Sequence, residues 1–529
     1  MATAAALQMT GGEAVIRALE AHGVEHAFGI PGTHTLPIDR YLVRSSIQHV
    51  LPRHEQGAAF AADGYARASG RPGVCIVTSG PGVTNLATAA AQAYSDSVPM
   101  LIISPGIPES AYRRGSGFLH EAKDQSRSMD SLVAWSHRAS SPADVVETIY
   151  RAFAEFGSMR PRPVHLEVPL EVLDAKSTVM LDEPRPSTPP APSRASIEQA
   201  LSILATATRP GLLAGGGAQG AAAELRDLAH VLDAIVVTTA NGKGSFPEDD
   251  DLAVGVALGY PSGRAVLAAC DVVVAVGTEL SQVDLEGEVL QLRGSVIRID
   301  IDRGQLNMNL KADCEVHSDA ALALRELLAG LQPRSGDRAA RAATAREPLR
   351  NEIAARAGKS ATAAPAILSC LDDNTVVACD TSMLCYNAII PTRFARTPRS
   401  ILNPTTYATL GYALPAGIGA KIAQPDRRVV VVAGDGGILF TLSELAMAVD
   451  RKLRLPIVVV NNRGYGEIRQ AMIARGIEPF GVTFDPPRFP MVAEAFGAKG
   501  RLVSEPSALE EALREAFEAD GPTLIEAQV

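Results

Sequence analysis

Gly434-Asp435-Gly436-Gly437, followed by Asn461-Asn462, is the stretch that decides the fold. Asp435 and Asn462 are 27 positions apart. Val429–Val432 before the first element and Ile457–Val460 before the second are short β-branched runs, which read as buried strands. Between them, Phe440 to Leu453 carries Leu442, Leu445, Ala446, Val449 and Leu453 at helical spacing. Strand, glycine turn, helix, strand is a crossover unit, and it brings both strand ends to one edge of a parallel sheet. Asp435 and Asn462 are expected to meet at that edge, where ligands of open α/β sheets bind. A carboxylate and an amide oxygen are hard ligands, suited to Mg²⁺ or Ca²⁺, and no Cys or His lies nearby to suggest a softer metal. Gly436 and Gly437 open the helix, so bare N–H groups and the helix dipole face an anion. A hard cation beside a phosphate cradle points to a metal-bridged diphosphate.

A second signature lies near the N-terminus: Arg53-His54-Glu55-Gln56-Gly57, then Ala61 to Arg67, a strand over Gly73–Val77, and the turn Thr78-Ser79-Gly80-Pro81-Gly82. Together the two signatures resemble the thiamine diphosphate enzymes of the acetolactate synthase and 2-oxo acid decarboxylase superfamily, over nearly the whole chain. The resemblance implies Asp435, Asn462 and the Gly464 carbonyl as Mg²⁺ ligands, and Glu55 as the catalytic glutamate. In that role a carboxyl group bonded to the pyrimidine ring favours the imino tautomer, whose nitrogen takes the thiazolium C2 proton. The coenzyme then serves as an electron sink when CO₂ leaves. It also implies cofactor contacts from Pro31, Gly32, Thr78, Asp380, Thr381, Ser382, Thr409, Gly434, Gly436, Gly437 and Tyr465. Leu410 is implied as the bulky residue that bends the cofactor.

The chain has 529 residues, 47% of them hydrophobic, and a net charge of −10. That length suggests several domains. The negative balance argues against nucleic acid and anionic membrane as partners. No apolar run reaches the roughly 18 residues of a membrane span, and Met1–Thr10 lacks the basic start of a signal peptide. Six scattered cysteines without a Cys-x-x-Cys pair fit buried thiols in a reducing cytoplasm. The proline-rich segment Pro184–Ser193 and the charged segment Gln332–Lys359 divide the chain. Each block alternates β-branched strands with helical segments. The expected fold class is α/β, with three doubly wound parallel-sheet domains: pyrimidine-binding (1–182), central Rossmann-like (194–331) and diphosphate-binding (345–529). The family's active sites are shared between subunits, which implies a homodimer or homotetramer.

Gly215, Gly217 and Gly220 satisfy the Gly-x-Gly-x-x-Gly pattern. The pattern fits a dinucleotide site or a tight strand-to-helix turn, and the turn is preferred because this motif alone is weak. FAD-bearing acetolactate synthases carry an Arg-Phe-Asp-Asp type segment where this chain has Gly277-Thr278-Glu279-Leu280-Ser281. That departure argues against FAD.

Three residues bear on the substrate. His34 and His120 lie in segments that match pocket-lining loops of the family, where an imidazole could steer a substrate carboxylate or deliver a proton. Glu467 stands where acetolactate synthases have an apolar residue, and Ala471 stands where they have a tryptophan. A carboxylate there could pair with a cationic tail, or with Arg463 or Arg469 on its own helix. Gly-Tyr-Gly-Glu-Ile-Arg at 464–469, Leu119-His120-Glu121 and the Gly29–Thr35 loop resemble the 5-guanidino-2-oxopentanoate decarboxylases. The expected activity is decarboxylation of a small 2-oxo acid. Capture of the same carbanion by a second 2-oxo acid, as in acetolactate synthase, is the alternative. A non-catalytic paralogue is disfavoured by the joint presence of Glu55, Asp435 and Asn462.

Overall fold

The computed structural model describes residues 5–334 and 338–528. The first four residues of Met1–Thr10 and part of Gln332–Lys359 therefore lie outside the described residues. An antiparallel pair, β1 (Ala5–Thr10) with β8 (Lys176–Leu181), closes the first unit. Inside it lies a six-stranded parallel sheet: β2 (His26–Phe28), β3 (Gln48–Val50), β4 (Gly73–Ile76), β5 (Met100–Gly106), β6 (Ser136–Arg138) and β7 (Val164–Pro169). Its order is β3-β2-β4-β5-β7-β6.

The last unit holds β15 (Val376–Cys379), β16 (Ile401–Leu402), β17 (Val429–Gly434), β18 (Pro456–Asn461), β19 (Lys499–Val503) and β20 (Thr523–Gln528). Its order, β16-β15-β17-β18-β20-β19, repeats that of the first sheet strand for strand. In both sheets the chain reverses direction between the first and third strands, and ligands of open α/β sheets bind at such a switch point. In the first sheet the loops there are Gly29–His34 and Thr78–Gly82. In the last they are Asp380–Ser382 and Gly434–Gly437. The middle sheet contains β9 (Pro210–Ala214), β10 (Ile235–Thr238), β11 (Ala253–Val256), β12 (Val272–Val276), β13 (Ser295–Asp300) and β14 (Cys314–His317). Its order, β11-β10-β9-β12-β13-β14, is that of a dinucleotide-binding sheet.

Strand alternation sets the cores. Cys75, Met100 and Ile102 face one side of the first sheet, while Val74, Leu101 and Ile103 face the other. The first side shares one continuous core with Ala378, Val431 and Val459 of the last sheet. Helices Glu55–Ser69 and Ala413–Ala423 cross inside it, backbone against backbone. A Cβ on Gly64 would lie 2.0 Å from the Ala416 carbonyl oxygen, and one on Gly419 would lie 1.8 Å from that of Ala61. Tyr412 donates its hydroxyl to Asp63 (2.6 Å) across the crossing, and Arg67 pairs with Asp63 and Asp96.

Two expected elements differ. The helix read over Phe440–Leu453 is a 3₁₀ turn at Leu442–Glu444 and a helix at Leu445–Asp450, separated from an earlier helical turn at Asp435–Ile438. Thr441 leaves helical geometry and donates its hydroxyl to the Gly411 carbonyl (2.7 Å). The segment after Gln332 is mostly one helix, Arg338–Ala357. Its Ala342, Leu349 and Ile353 enter a core of the middle sheet, whereas Ala357 enters the core of the last, so residue 345 falls inside an element that joins the two.

Candidate active site

The carboxyl ends of β17 and β18 sit side by side, with Gly434 opposite Val460. Asp435 is 1% exposed and accepts the Gly464 N–H at 2.9 Å. Burial pushes its carboxyl group up, against the N–H groups of Gly464, Gly436 and Asn462, which pull it down. The Asn462 side-chain oxygen is buried with no hydrogen-bond partner. A buried orphan acceptor beside a buried carboxylate is the donor set a hard cation would satisfy. Gly464 has φ +145°, and a Cβ on it would meet the Val482 carbonyl oxygen at 2.1 Å, so this turn requires glycine. Asp435 and the Asn462 oxygen thus fit Mg²⁺, while the Gly464 carbonyl beside them accepts the Gly466 N–H (3.2 Å). Among the described residues no group of three His, Cys, Asp or Glu side chains offers a competing metal site.

Asp380 is buried and pushed up to about 6 by burial. Its oxygens accept the N–H groups of Thr381 (2.8 Å) and Gly411 (3.1 Å). The carboxylate thereby fixes the turn that presents half-buried Leu410. Thr381 donates its hydroxyl to the Thr409 carbonyl (3.0 Å), and Thr409 donates its own to the Gln92 side chain (3.0 Å). Ser382 accepts the Cys385 N–H (3.4 Å). Gly436 packs under the Tyr465 ring and Gly437 against Asp380.

The N-terminal candidates form a second cluster. Glu55 is 7% exposed at the first position of its helix, and Asn85 donates to it at 2.8 Å. A Cβ on Gly32 or Gly82 would lie about 3 Å from Thr78, so the two loops are in contact there. Pro31 is exposed beside Gly32. His34 shares a 2.5 Å hydrogen bond with Ser79, and its ring meets that of His120 edge-on at 5.0 Å. Burial, and then the neighbouring His120, lowers the His34 pKa, which favours a neutral imidazole. Thr78 lies 3.4 Å from the His120 ring. His54 caps the Glu55 helix by accepting the Gln56 N–H (3.1 Å), a supporting role.

Glu467 lies in the first turn of helix Gly466–Ala474 and accepts the Tyr386 hydroxyl at 2.6 Å. Arg463 pairs with Asp485 instead of Glu467. Both Glu467 and Tyr386 line a cavity of about 480 Å³ between the middle and last sheets, together with Asp380 and Thr381.

Sequence reasoning missed four contributors. Asn85 holds Glu55; Gln125 accepts the Gly80 N–H (2.7 Å) and steadies the Thr78–Gly82 turn. Tyr386 holds Glu467. Glu444, 0% exposed, accepts the N–H groups of Arg53 (3.0 Å) and His54 (2.9 Å), immediately before Glu55. Burial pushes Glu444 up to about 7.

Packing explains two glycines of the middle-sheet motif; at the third, Gly220, a Cβ would meet nothing within 4 Å, and Gly216, Gly217 and Gly220 line a cavity of about 450 Å³. The Gly215 and Gly217 N–H groups bond to the Val276 and Gly277 carbonyls, and a Cβ on Gly217 would lie 2.8 Å from the Gly277 Cα. The turn is tight because two strand ends touch.

Residues 9–128 match the family described as thiamine pyrophosphate enzyme, N-terminal TPP binding domain. Residues 197–327 match its central domain and 385–527 its C-terminal TPP binding domain. The chain is 43% identical over 530 residues to a probable 2-ketoarginine decarboxylase, AruI, of Pseudomonas aeruginosa, covering 98% of this chain and 94% of that one. It is 33% identical to a probable acetolactate synthase large subunit of Methanocaldococcus jannaschii, covering 98% and 91%. It is 32% identical to the acetolactate synthase isozyme 2 large subunit of Escherichia coli, covering 98% and 96%. With three parallel α/β sheets matching all three domains of the family, this chain belongs to the thiamine diphosphate-dependent enzymes.

Proposed function

We propose that this protein is a thiamine diphosphate- and Mg²⁺-dependent decarboxylase of a 2-oxo acid with a cationic tail, 5-guanidino-2-oxopentanoate being the leading candidate. One observation carries the substrate charge. Asp284, Glu286, Asp380 and Glu467 all line the 480 Å³ cavity. Asp284 is bonded to Ser281, Glu286 is paired with Arg356, and Asp380 holds backbone N–H groups. Asp284 and Asp380 are thus committed to a helix cap and a turn, whereas Glu467 is exposed and bonds to a neutral phenol. A carboxylate without a cation, facing a cavity, recognises a cationic ligand. The relative named as a 2-ketoarginine decarboxylase supports the same assignment.

In this reading Asp435, Asn462 and Gly464 would hold the metal, and the Gly434–Gly437 turn would receive the diphosphate. When bound, the coenzyme supplies the electron sink for the pair left by departing CO₂. Glu55, oriented by Asn85, holds the proton shared with the aminopyrimidine ring. Leu410, presented by the turn that Asp380 holds, would pack against the coenzyme. His34 and His120 would orient the substrate carboxylate and relay the proton that replaces CO₂.

We read the unit as a homodimer or homotetramer with shared sites. Leu119, Leu439, Phe440 and Ile468 are exposed apolar side chains beside the two clusters, which supports a partner surface there. Co-expressing Glu55→Gln with Asp435→Ala would regenerate activity if each site takes one cluster from each subunit. No regeneration would refute sharing.

A panel of 2-oxo acids, scored for CO₂ with carbon products identified by NMR, tests the activity. The expected result is one aldehyde per CO₂ and preference for the guanidino acid. Acetolactate from pyruvate at a comparable rate would replace this reading with a carboligase, as the acetolactate synthase relatives would suggest.

A further inference from the structure

Tyr386 lies in a π-helical turn, Cys385–Ile389, that follows the Asp380–Ser382 loop. Such turns recur at functional sites, because the extra residue re-aims side chains that an α-helical turn would place elsewhere. Here Cys385, Asn387, Ala388 and Ile389 stay buried, while Tyr386 reaches the cavity and donates to Glu467. We propose that Tyr386 is a specificity-positioning residue, whose hydroxyl fixes the Glu467 carboxylate so that its remaining acceptor sites face the tail of the substrate. The inference rests on the cationic-tail reading above.

The geometry gives the reason. A carboxylate offers about four lone-pair sites, and a phenol occupies one of them. The O–H bond at 2.6 Å stops rotation of an otherwise exposed side chain, so a guanidinium meets an acceptor already oriented. Burial and the adjacent Glu467 raise the Tyr386 pKa, which keeps the phenol a donor. Arg356 also lines the cavity, next to the same turn, and is engaged: it pairs with Glu286, donates to Asn387 at 2.8 Å and lies 5.6 Å from the Tyr260 ring centroid. Its charge opposes the rise in the Tyr386 pKa without reversing it.

The test is binding of 5-guanidinopentanoate, which lacks the 2-oxo group and cannot react, against hexanoate as its uncharged counterpart. Both are titrated calorimetrically into the thiamine diphosphate- and Mg²⁺-loaded protein. The readout is the ratio of the two affinities for wild type, Tyr386→Phe, Glu467→Gln and the double variant. Loss of one hydrogen bond to a charged group predicts a ratio about tenfold lower in Tyr386→Phe. It predicts a larger fall in Glu467→Gln, and a double variant no worse than Glu467→Gln alone, because Tyr386 acts through Glu467. An unchanged ratio in Tyr386→Phe, with the ratio lost in Glu467→Gln, would overturn the positioning role and leave the substrate reading standing. Equal weakening of both ligands in Tyr386→Phe would overturn it too, as a general structural effect. An unchanged ratio in Glu467→Gln would overturn the substrate reading and the role of Tyr386 together.

Discussion

Raising the pH from 5 to 8 should loosen the join between the first and last sheets, and Glu444 sets the size of the effect. Its side chain is 0% exposed and bonded to the N–H groups of Arg53 and His54. Burial raises its pKa from 4.5 to about 7; the two N–H groups and the Arg53 charge oppose the rise, and Glu55 adds to it. The folded protein therefore binds this proton more tightly than the unfolded chain does. The stability so gained is fully present below pH 4.5, falls as pH rises, and is gone above about 7. The span is worth about 3 kcal/mol, to order of magnitude. Other groups titrate in the same range, so the quantity to measure is the difference between wild type and Glu444→Gln, which cannot ionise. The chain has one tryptophan, Trp135, in the first unit, with its indole N–H on Glu155 (2.6 Å). Its fluorescence in a urea titration reports unfolding of that unit. Glu444→Gln should gain about 3 kcal/mol relative to wild type between pH 5 and pH 8. Parallel stability profiles for the two proteins would refute the linkage.

Four further outcomes are expected. Asn85→Ala should lower turnover about tenfold or more through loss of the bond that orients Glu55, with little change in thiamine diphosphate affinity; normal turnover would remove Asn85 from the site. Gly64→Ala should cost about 1–3 kcal/mol or more in urea unfolding, because its Cβ would meet the Ala416 oxygen at 2.0 Å; a neutral effect would show that the helix crossing yields. Purified protein, denatured and scanned in the visible range, should release no flavin, since Gly277-Thr278-Glu279-Leu280-Ser281 stands where the FAD-bearing acetolactate synthases carry an Arg-Phe-Asp-Asp type segment; stoichiometric FAD would reverse that conclusion. Asn462→Leu should lose at least tenfold in Mg²⁺-dependent retention of the coenzyme, because a hydrocarbon replaces the orphan oxygen; unchanged retention would place the metal elsewhere.

Much of the site was legible because its parts lie close in sequence to strand ends. Asp435 and Asn462 follow neighbouring parallel strands, so a crossover rule alone brings them together. The Gly29–His34 and Thr78–Gly82 loops flank one switch point for the same reason, and Glu55 follows the edge strand β3 beside them. What was not legible depends on contacts between distant segments. Glu444 meets Arg53 across 391 positions, and Tyr386 meets Glu467 across 81. No periodicity encodes either pairing. The broken helix after Gly437 was hidden as well, since Thr441 leaves the helix for a carbonyl on the Gly411 turn, 30 positions earlier. The apolar spacing of Leu442, Leu445 and Val449 is compatible with either outcome. Glu467 stands out in the sequence, with a cationic tail and Arg463 or Arg469 as its alternative partners; the π-helical turn that supplies Tyr386 has no simple sequence signature.

The most direct measurement is exchange of the coenzyme's C2 proton, followed by NMR, alongside thiamine diphosphate titrations with and without Mg²⁺. Wild type should bind the coenzyme in a Mg²⁺-dependent manner and exchange the proton far faster than free solution. Glu55→Gln should keep the binding and lose the acceleration, while Asp435→Ala should lose the binding. Fast exchange that survives Glu55→Gln, or tight binding indifferent to both Mg²⁺ and Asp435, would contradict the assignment of these two clusters to one coenzyme.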